Sequence, residues 1–418
     1  MSMMPRATHF GVAITAVLIL WACLIDIPLN LTADGSAYLH IADTLQNGTY
    51  FNDIATAERT PLYPILLSLG SLVTGDEALG ILLAHLSALL VTLLVLIVRL
   101  RISSIAAVAA MALCTIILYD SLTAVLTEWL AACLLIVLWA ELSKIQQQKP
   151  SDHALCISVT LASLLILLHP LWIITIPCIA FLYRKHLFAS KSNLFAALCG
   201  LLPLLCWLSI QMIRLDSPRL IRSNEKNLFG IATLIGTPEM NNDGDDYSAF
   251  ISKVSSYRTP KSGEELMAIS RYAEHYRDVV TDFNYNVSST SARIAPHYLK
   301  QWDIYRAHLS RYAYETIMRY PERYLAIVWL SLQQFLPSLP FVILCILTVS
   351  RINRNDQVHL AIQRATRCMV TMYIVHMIVA ALLVPITPRF IAVMDGVLMA
   401  ITTVIFLLRS RKIPSAQL

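Results

Sequence analysis

Apolar residues in this chain come in blocks of roughly 20, set apart by short polar stretches. The blocks fall at 10–31, 79–98, 105–119, 121–140, 154–168, 171–183, 194–213, 323–348, 368–386 and 390–408. About 20 apolar residues rising 1.5 Å each match the ~30 Å hydrocarbon core of a bilayer. The pattern therefore predicts an all-α polytopic membrane protein with about ten transmembrane helices. The blocks 154–168 and 171–183 are joined by His169-Pro170. Fused, they would be too long for one untilted span, so the proline break predicts a hairpin. An outer segment, 32–78, follows the first block. In it Ala37, Tyr38, Ile41 and Leu45 recur at helical spacing, and Pro61 opens a second apolar stretch ending at Val73. Both read as juxtamembrane helices. A polar insert, 214–322, comes late. Its second half ("EELMAISRYAEHYRDVV", "YLKQWDIYRAHLSRYAYETIMRYPERYL") has helical periodicity, and its first half reads as loop. Three regions result: an N-terminal transmembrane module, 1–213; a mostly helical insert domain, 214–322; and a C-terminal transmembrane module, 323–418.

Composition narrows the class. Of 418 residues, 57% are hydrophobic and 14% charged. That excludes a water-soluble globular enzyme, a disordered chain and a disulfide scaffold. A net charge of +5 gives no reason to expect nucleic acid. All nine cysteines fall in or beside apolar blocks without CxxC spacing, and read as small buried hydrophobes. Arg6 and the run 10–31 look like a signal peptide at first. The run is too long for one, and no small-x-small site follows, so a retained helix is expected. The Trp21 in Leu20-Trp21-Ala22-Cys23 argues against a lipoprotein signal.

Positive charge supports the count of ten. With a cytoplasmic N-terminus, 15 of the 32 Lys and Arg fall on the cytoplasmic side, while the short outer segments carry only Arg59 and Arg389. Residues 32–78 and 214–322 then face outward. Fusing the 154–168 and 171–183 pair would send three basic clusters to the wrong side.

Scarce charge makes position informative. Asp34, just after the first span, is placed to act as a general base at the outer surface. Composition alone favours a helix N-cap for it. Arg389, beside the last span, suits a phosphate, to which Arg offers a planar fork of donors, or a snorkelling anchor. Arg59, among polar residues, reads first as solvated. Glu128 lies in an apolar block and should face the bundle interior. Asp120 reads as a cap; Asp26 and Asp395 are ambiguous. His169 reads as a capping or packing residue. Asn241 to Asp246 ("NNDGDD") lacks the position-twelve Glu of a calcium loop and reads as a turn. Neither HExxH-type spacing nor a Walker A or GxGxxG loop is present, so neither a metal nor a nucleotide cofactor is expected.

The first outer loop reads Asp34-x-x-x-Tyr38…Ala42…Leu45…Gly48, then Arg59-Thr-Pro61-Leu-Tyr63-Pro64. It resembles the GT-C class of integral-membrane glycosyltransferases, in the bacterial branch near the protein mannosyltransferases and the lipid A aminoarabinose transferase. Thr127-Glu128 and Arg389-Phe390 resemble that class's Glu position in the fourth span and its late Arg-aromatic motif. The resemblance covers the first 140 residues well and the last 40 moderately. It implies an inverting enzyme that moves a sugar from a polyprenyl-phosphate carrier to an acceptor hydroxyl. Asp34 would be the general base, with Arg59 and Arg389 near the donor phosphate. Tyr38, Tyr63, Glu128 and His169 would support the site. It implies no cofactor and no metal, since the first outer loop has no DxD. The implied location is the bacterial inner membrane with a periplasmic active site. Partners would be the lipid-linked donor, membrane lipid, and a protein, glycan or lipid acceptor. Two departures stand out: Gly35 follows Asp34 where the mannosyltransferases place Glu, and no proline follows Arg389-Phe390 closely. The alternatives are an O-antigen-ligase-like transferase and a lipid-linked-sugar flippase or transporter. The first gives little reason for Asp34, and the second commonly shows internal repeats that this chain lacks.

Overall fold

A computed structural model describes residues 6–144, 152–215, 218–221, 225–239, 246–257, 276–298, 301–351, 357–385 and 388–410. Among them the fold is helical, with extended pairing confined to a bridge between Asn30 and Ala124. By contacts the chain divides into two units: Met1–Arg222 with Ser338–Val375 and Arg389–Leu418, and Ser223–Pro337 with His376–Pro388. The second unit thus reaches beyond the 214–322 insert. Hydropathy marks which segments are apolar, and does not say which neighbours they pack on.

The first unit opens with α1 (Arg6–Leu24), α2 (Ala33–Gln46), α3 (Leu62–Thr74), α4 (Glu77–Leu100), α5 (Ser104–Ile117) and the short α6 (Tyr119–Leu122). It continues with α7 (Glu128–Lys144), α8 (Asp152–Leu168), α9 (Thr175–Leu182), α10 (Arg184–Leu187), α11 (Lys191–Gly200) and α12 (Leu202–Leu215). Among the described residues, four helical stretches can cross a membrane by length and composition: Glu77–Leu100, Pro321–Ser350, Leu360–Leu383 and Arg389–Leu408. The bent pair α11–α12 makes a fifth if counted as one span.

Both helices expected between residues 32 and 78 form, as α2 and α3. Gly75, at φ 70°, ends α3 in the left-handed region, and the Asp76 side chain caps α4 by accepting from Leu79 N at 2.8 Å. The two helices then cross at glycines: a Cβ on Gly70 would stand 2.3 Å from the Gly80 carbonyl oxygen. α7 is buried on nearly all sides and is pinned at both ends. Trp129 Nε1 donates to His85 O at 3.0 Å, and Arg99 pairs with the buried Glu141 at 2.7 Å.

Three apolar blocks take a different form from the one the pattern predicts. The helix breaks at His169-Pro170, as expected, but a 3-10 turn (Pro170–Ile174) precedes α9 and packs on α8. The block 194–213 bends by 52° between α11 and α12. Pro203 in the first turn of α12 cannot donate back to the preceding turn, which allows the bend. In the block 121–140 the short α6 ends at Leu122 and helix resumes only at Glu128, because Thr123 O and Val125 N pair with Asn30 instead. Glu128 is therefore the first residue of α7 and not an interior one.

The second unit begins with α13 (Glu225–Ile235), α14 (Asp246–Tyr257) and α15 (Tyr276–Ser289). It continues with α16 (Trp302–Arg319) and α17 (Pro321–Gln333). Phe229, Phe250, Tyr247, Tyr298, Tyr305 and Tyr312 form its core. Four tyrosines of the insert are thus buried in packing. Asn241–Asp245 and most of "EELMAISRYAEHYRDVV" lie outside the described residues. Asp246 starts α14 and pairs with His308 at 3.1 Å. After this come α18 (Leu339–Ser350), α19 (Gln357–Leu383) and α20 (Pro388–Ser410). Asp395 of α20 is buried and accepts from Ser338 Oγ at 2.6 Å and Tyr373 OH at 2.9 Å, a structural tie. Asp26 is exposed, and Asp120 lies in the first turn of α6. The cysteines are free; five are buried, whereas Cys23 and Cys206 are exposed on apolar helices.

Candidate active site

Asp34 lies in the first turn of α2, but Thr32 is the cap. Thr32 is extended at φ −86°, ψ 167°, and its Oγ1 accepts from Gly35 N at 3.0 Å. This corrects the capping role that composition favours and leaves the carboxylate for other partners. Both of its oxygens are engaged: Arg59 Nη2 donates to Oδ1 and Arg389 Nη2 to Oδ2, each at 2.7 Å. Arg59 follows the 3-10 turn Ile54–Glu58, and Arg389 sits in the first turn of α20. Arg59 is thus paired, not merely solvated. On its other side Arg389 Nε lies 3.4 Å from Glu128 Oε1, and Thr127 Oγ1 donates to Glu128 Oε2 at 3.4 Å. The result is a row of alternating charge, Arg59–Asp34–Arg389–Glu128, drawn from four separate segments.

Supporting side chains close one end of the row. The Arg59 guanidinium lies over the Tyr38 ring at 5.8 Å, and Tyr38 meets Tyr63 edge-on at 5.0 Å. The Tyr63 hydroxyl is 3.2 Å from His85 Nε2, and His85 Nδ1 is 3.0 Å from the Leu122 carbonyl. A carbonyl can only accept, so Nδ1 carries the proton and Nε2 accepts from Tyr63. His169 caps the 3-10 turn, with Nδ1 accepting from Leu171 N at 3.4 Å, and its ring lies 5.9 Å from Phe390. It is also close enough to Asp34 to act on its charge. The capping role read from the sequence and a place beside the site hold together.

The segment Leu118–Thr127 brings these parts into register. Asn30 N donates to Thr123 O at 2.9 Å and Val125 N to Asn30 O at 3.4 Å, just before Thr32. Gly35 permits this approach, since a Cβ there would stand 2.9 Å from Val125 Cβ. A Glu at position 35 therefore has no room.

Asp34, Arg59 and Arg389 each keep about a third of their side chain exposed, at 33%, 38% and 34%, while Glu128 is buried at 6%. Both guanidiniums therefore keep solvent-accessible surface with which to meet an anion, while Glu128 does not. Burial pushes the Asp34 carboxyl up, but Arg59 and Arg389 outweigh it and hold it below its ordinary value. Burial pushes the Tyr38 phenol up to about 12, so it stays neutral. Among the described residues no cluster of three His, Cys, Asp or Glu is placed to hold a metal ion.

The sequence reading missed His85 and Thr32. His85 had a signal, as a polar side chain within the apolar block 79–98. Thr32 had only its place two residues before a helical Asp.

No family model and no curated protein matches the chain. One solved structure similar to it is the crystal structure of ArnT from Cupriavidus metallidurans bound to undecaprenyl phosphate. The identity is 14%, over 95% of this chain and 76% of that one, with a TM-score of 0.41.

Proposed function

We propose that this protein is an inverting, polyprenyl-phosphate-sugar-dependent glycosyltransferase of the bacterial inner membrane, with ten spans and a periplasmic active site. The observation that carries the reading is Asp34 held between Arg59 and Arg389, with about a third of each side chain exposed. A donor of this kind presents a phosphodiester at the membrane surface and keeps its tail in lipid. Its phosphate competes with Asp34 for the two guanidiniums. Arg389 and Arg59 then stabilise the charge that grows on the departing polyprenyl phosphate.

That exchange also frees Asp34. In the structure neither carboxylate oxygen is free of a guanidinium. Once Arg389 turns to phosphate, an Asp34 oxygen can accept the acceptor's hydroxyl proton. The acceptor oxygen forms its bond to the anomeric carbon as the carbon–oxygen bond to phosphate breaks. The proton moves to Asp34 and the electron pair leaves with the phosphate. Attack opposite the leaving group inverts the anomeric centre. Glu128 holds Arg389 from the far side, so the guanidinium stays in place while it changes partners.

The test is sugar transfer in membranes containing Asp34→Asn, with synthetic polyprenyl-phosphate donors and expression matched to the parent chain. Loss of a general base lowers turnover by about 10²–10⁴-fold. Full activity in Asp34→Asn would remove Asp34 as the base. Arg389→Ala should weaken the donor response by roughly 10–100-fold. Movement of labelled lipid-linked sugar across the membrane without a covalent product would point to a transporter instead.

A further inference from the structure

Arg59 is one residue of an irregular loop, and its position depends on what fixes that loop. Thr60 Oγ1, on one side, donates to the Leu168 carbonyl at 3.0 Å. Thr56, on the other side, is fully buried, and its hydroxyl donates to Tyr50 O at 2.9 Å and Asp53 O at 2.7 Å. That hydroxyl still accepts one bond, and it comes from far along the chain. Arg214, in the last turn of α12, places Nη2 2.7 Å from Thr56 Oγ1, 3.2 Å from Asp53 O and 3.3 Å from Tyr50 O. The same guanidinium lies over the rings of Tyr50 at 5.0 Å and Phe51 at 5.7 Å. One half-buried side chain therefore gathers the loop from Tyr50 to Thr56.

A cation at a helix C-terminus is ordinarily explained by the helix dipole. That explanation does not require three acceptors and two ring faces from a loop 158 or more residues away. The neighbouring stripe of α12 serves the same contact. Trp207, two turns earlier, packs with Tyr50 and Ile41 of the first outer segment and donates Nε1 to Leu220 O at 2.9 Å.

We propose that Arg214 is a positioning residue for the phosphate-facing guanidinium of Arg59. It acts by locking the Tyr50–Thr56 loop that leads into Arg59, and it touches neither donor nor acceptor. This rests on the reading of Arg59 as a donor-phosphate contact. Lysine cannot reproduce the role fully, because a point charge lacks the planar face that covers Tyr50 and Phe51.

The experiment uses the full chain in detergent and two probes, undecaprenyl phosphate and the uncharged undecaprenol. Arg214→Gln should weaken undecaprenyl phosphate binding about tenfold, the cost of misplacing one charge-assisted contact. Undecaprenol binding should stay at the parent value. Arg214→Lys should recover part of the loss. The double variant Arg59→Ala/Arg214→Gln should bind no more weakly than Arg59→Ala alone. Backbone amides of the loop 50–57 should exchange faster in Arg214→Gln. Parent-like phosphate binding in Arg214→Gln overturns the proposal, as does an additive double variant. Equal weakening of both probes does so too, since it marks general loosening. If Arg214→Gln does not fold, parent-like binding in Arg214→Lys together with faster loop exchange has the same force. Undiminished binding in Arg59→Ala defeats the phosphate reading itself, and a loss there with none in Arg214→Gln defeats only the positioning role.

Discussion

Asp34 is a carboxylate whose two oxygens each meet a guanidinium at 2.7 Å. Such a group is a poor base until one guanidinium turns away, and this sets a pH signature. Without donor the carboxyl is held below its ordinary value, so on the proposed reading the acid limb of kcat/KM should lie below the ordinary carboxylate range. If donor phosphate draws the guanidiniums off as proposed, the acid limb of kcat should lie at higher pH than that of kcat/KM. Coincident limbs would show that donor binding does not release Asp34. The same lowered value makes the contact stabilising above the unfolded carboxylate pKa. That contribution is lost as pH falls through the folded value. Residues of this row were legible in the sequence because charge is scarce in an apolar chain, so each unexplained charge near the outer boundary drew notice. Arg214 was not legible. At the edge of a polar insert with 14 basic and 14 acidic residues, it looks like any surface cation.

Helix positions followed well from the apolar pattern, and the breaks between them less so. His169-Pro170 announced its break. The late start of α7 was hidden, because the residues before it are apolar whether helical or extended. Only the long-range pairing with Asn30 pulls Thr123–Val125 out of helix, and sequence periodicity does not carry such pairings. The α3–α4 crossing is a similar case, set by Gly70 and Gly80 in direct contact. It matters to the site because α3 carries Tyr63 and α4 carries His85, which are hydrogen-bonded at 3.2 Å. Gly70→Ala forces these backbones apart and should cost about 1–3 kcal/mol, read as a lower melting midpoint of the purified protein. An unchanged midpoint would mean that the crossing tolerates a side chain.

At the scale of the whole molecule, the central expectation is which segments face outward. Phe51 in the first outer segment is 66% exposed, and Phe188 in the basic segment after α10 is 72% exposed. In a background without the nine native cysteines, Phe51→Cys in intact cells with a permeabilised outer membrane should react with a membrane-impermeant maleimide. Phe188→Cys should react only after lysis. The reverse pattern would put the charged row on the cytoplasmic face and end the periplasmic reading. Hydropathy made the membrane class legible, and charge bias supplies the orientation that this labelling tests. The unit boundaries were not, because they depend on which apolar helices pack together.

The measurement that bears most directly on the charged row is a cryo-EM map of the full chain with undecaprenyl phosphate. Phosphate density is expected within about 4 Å of both the Arg59 and Arg389 guanidiniums, with Asp34 turned away from at least one of them. Phosphate density elsewhere, with the Arg59–Asp34–Arg389 contacts intact, would contradict the proposed reading.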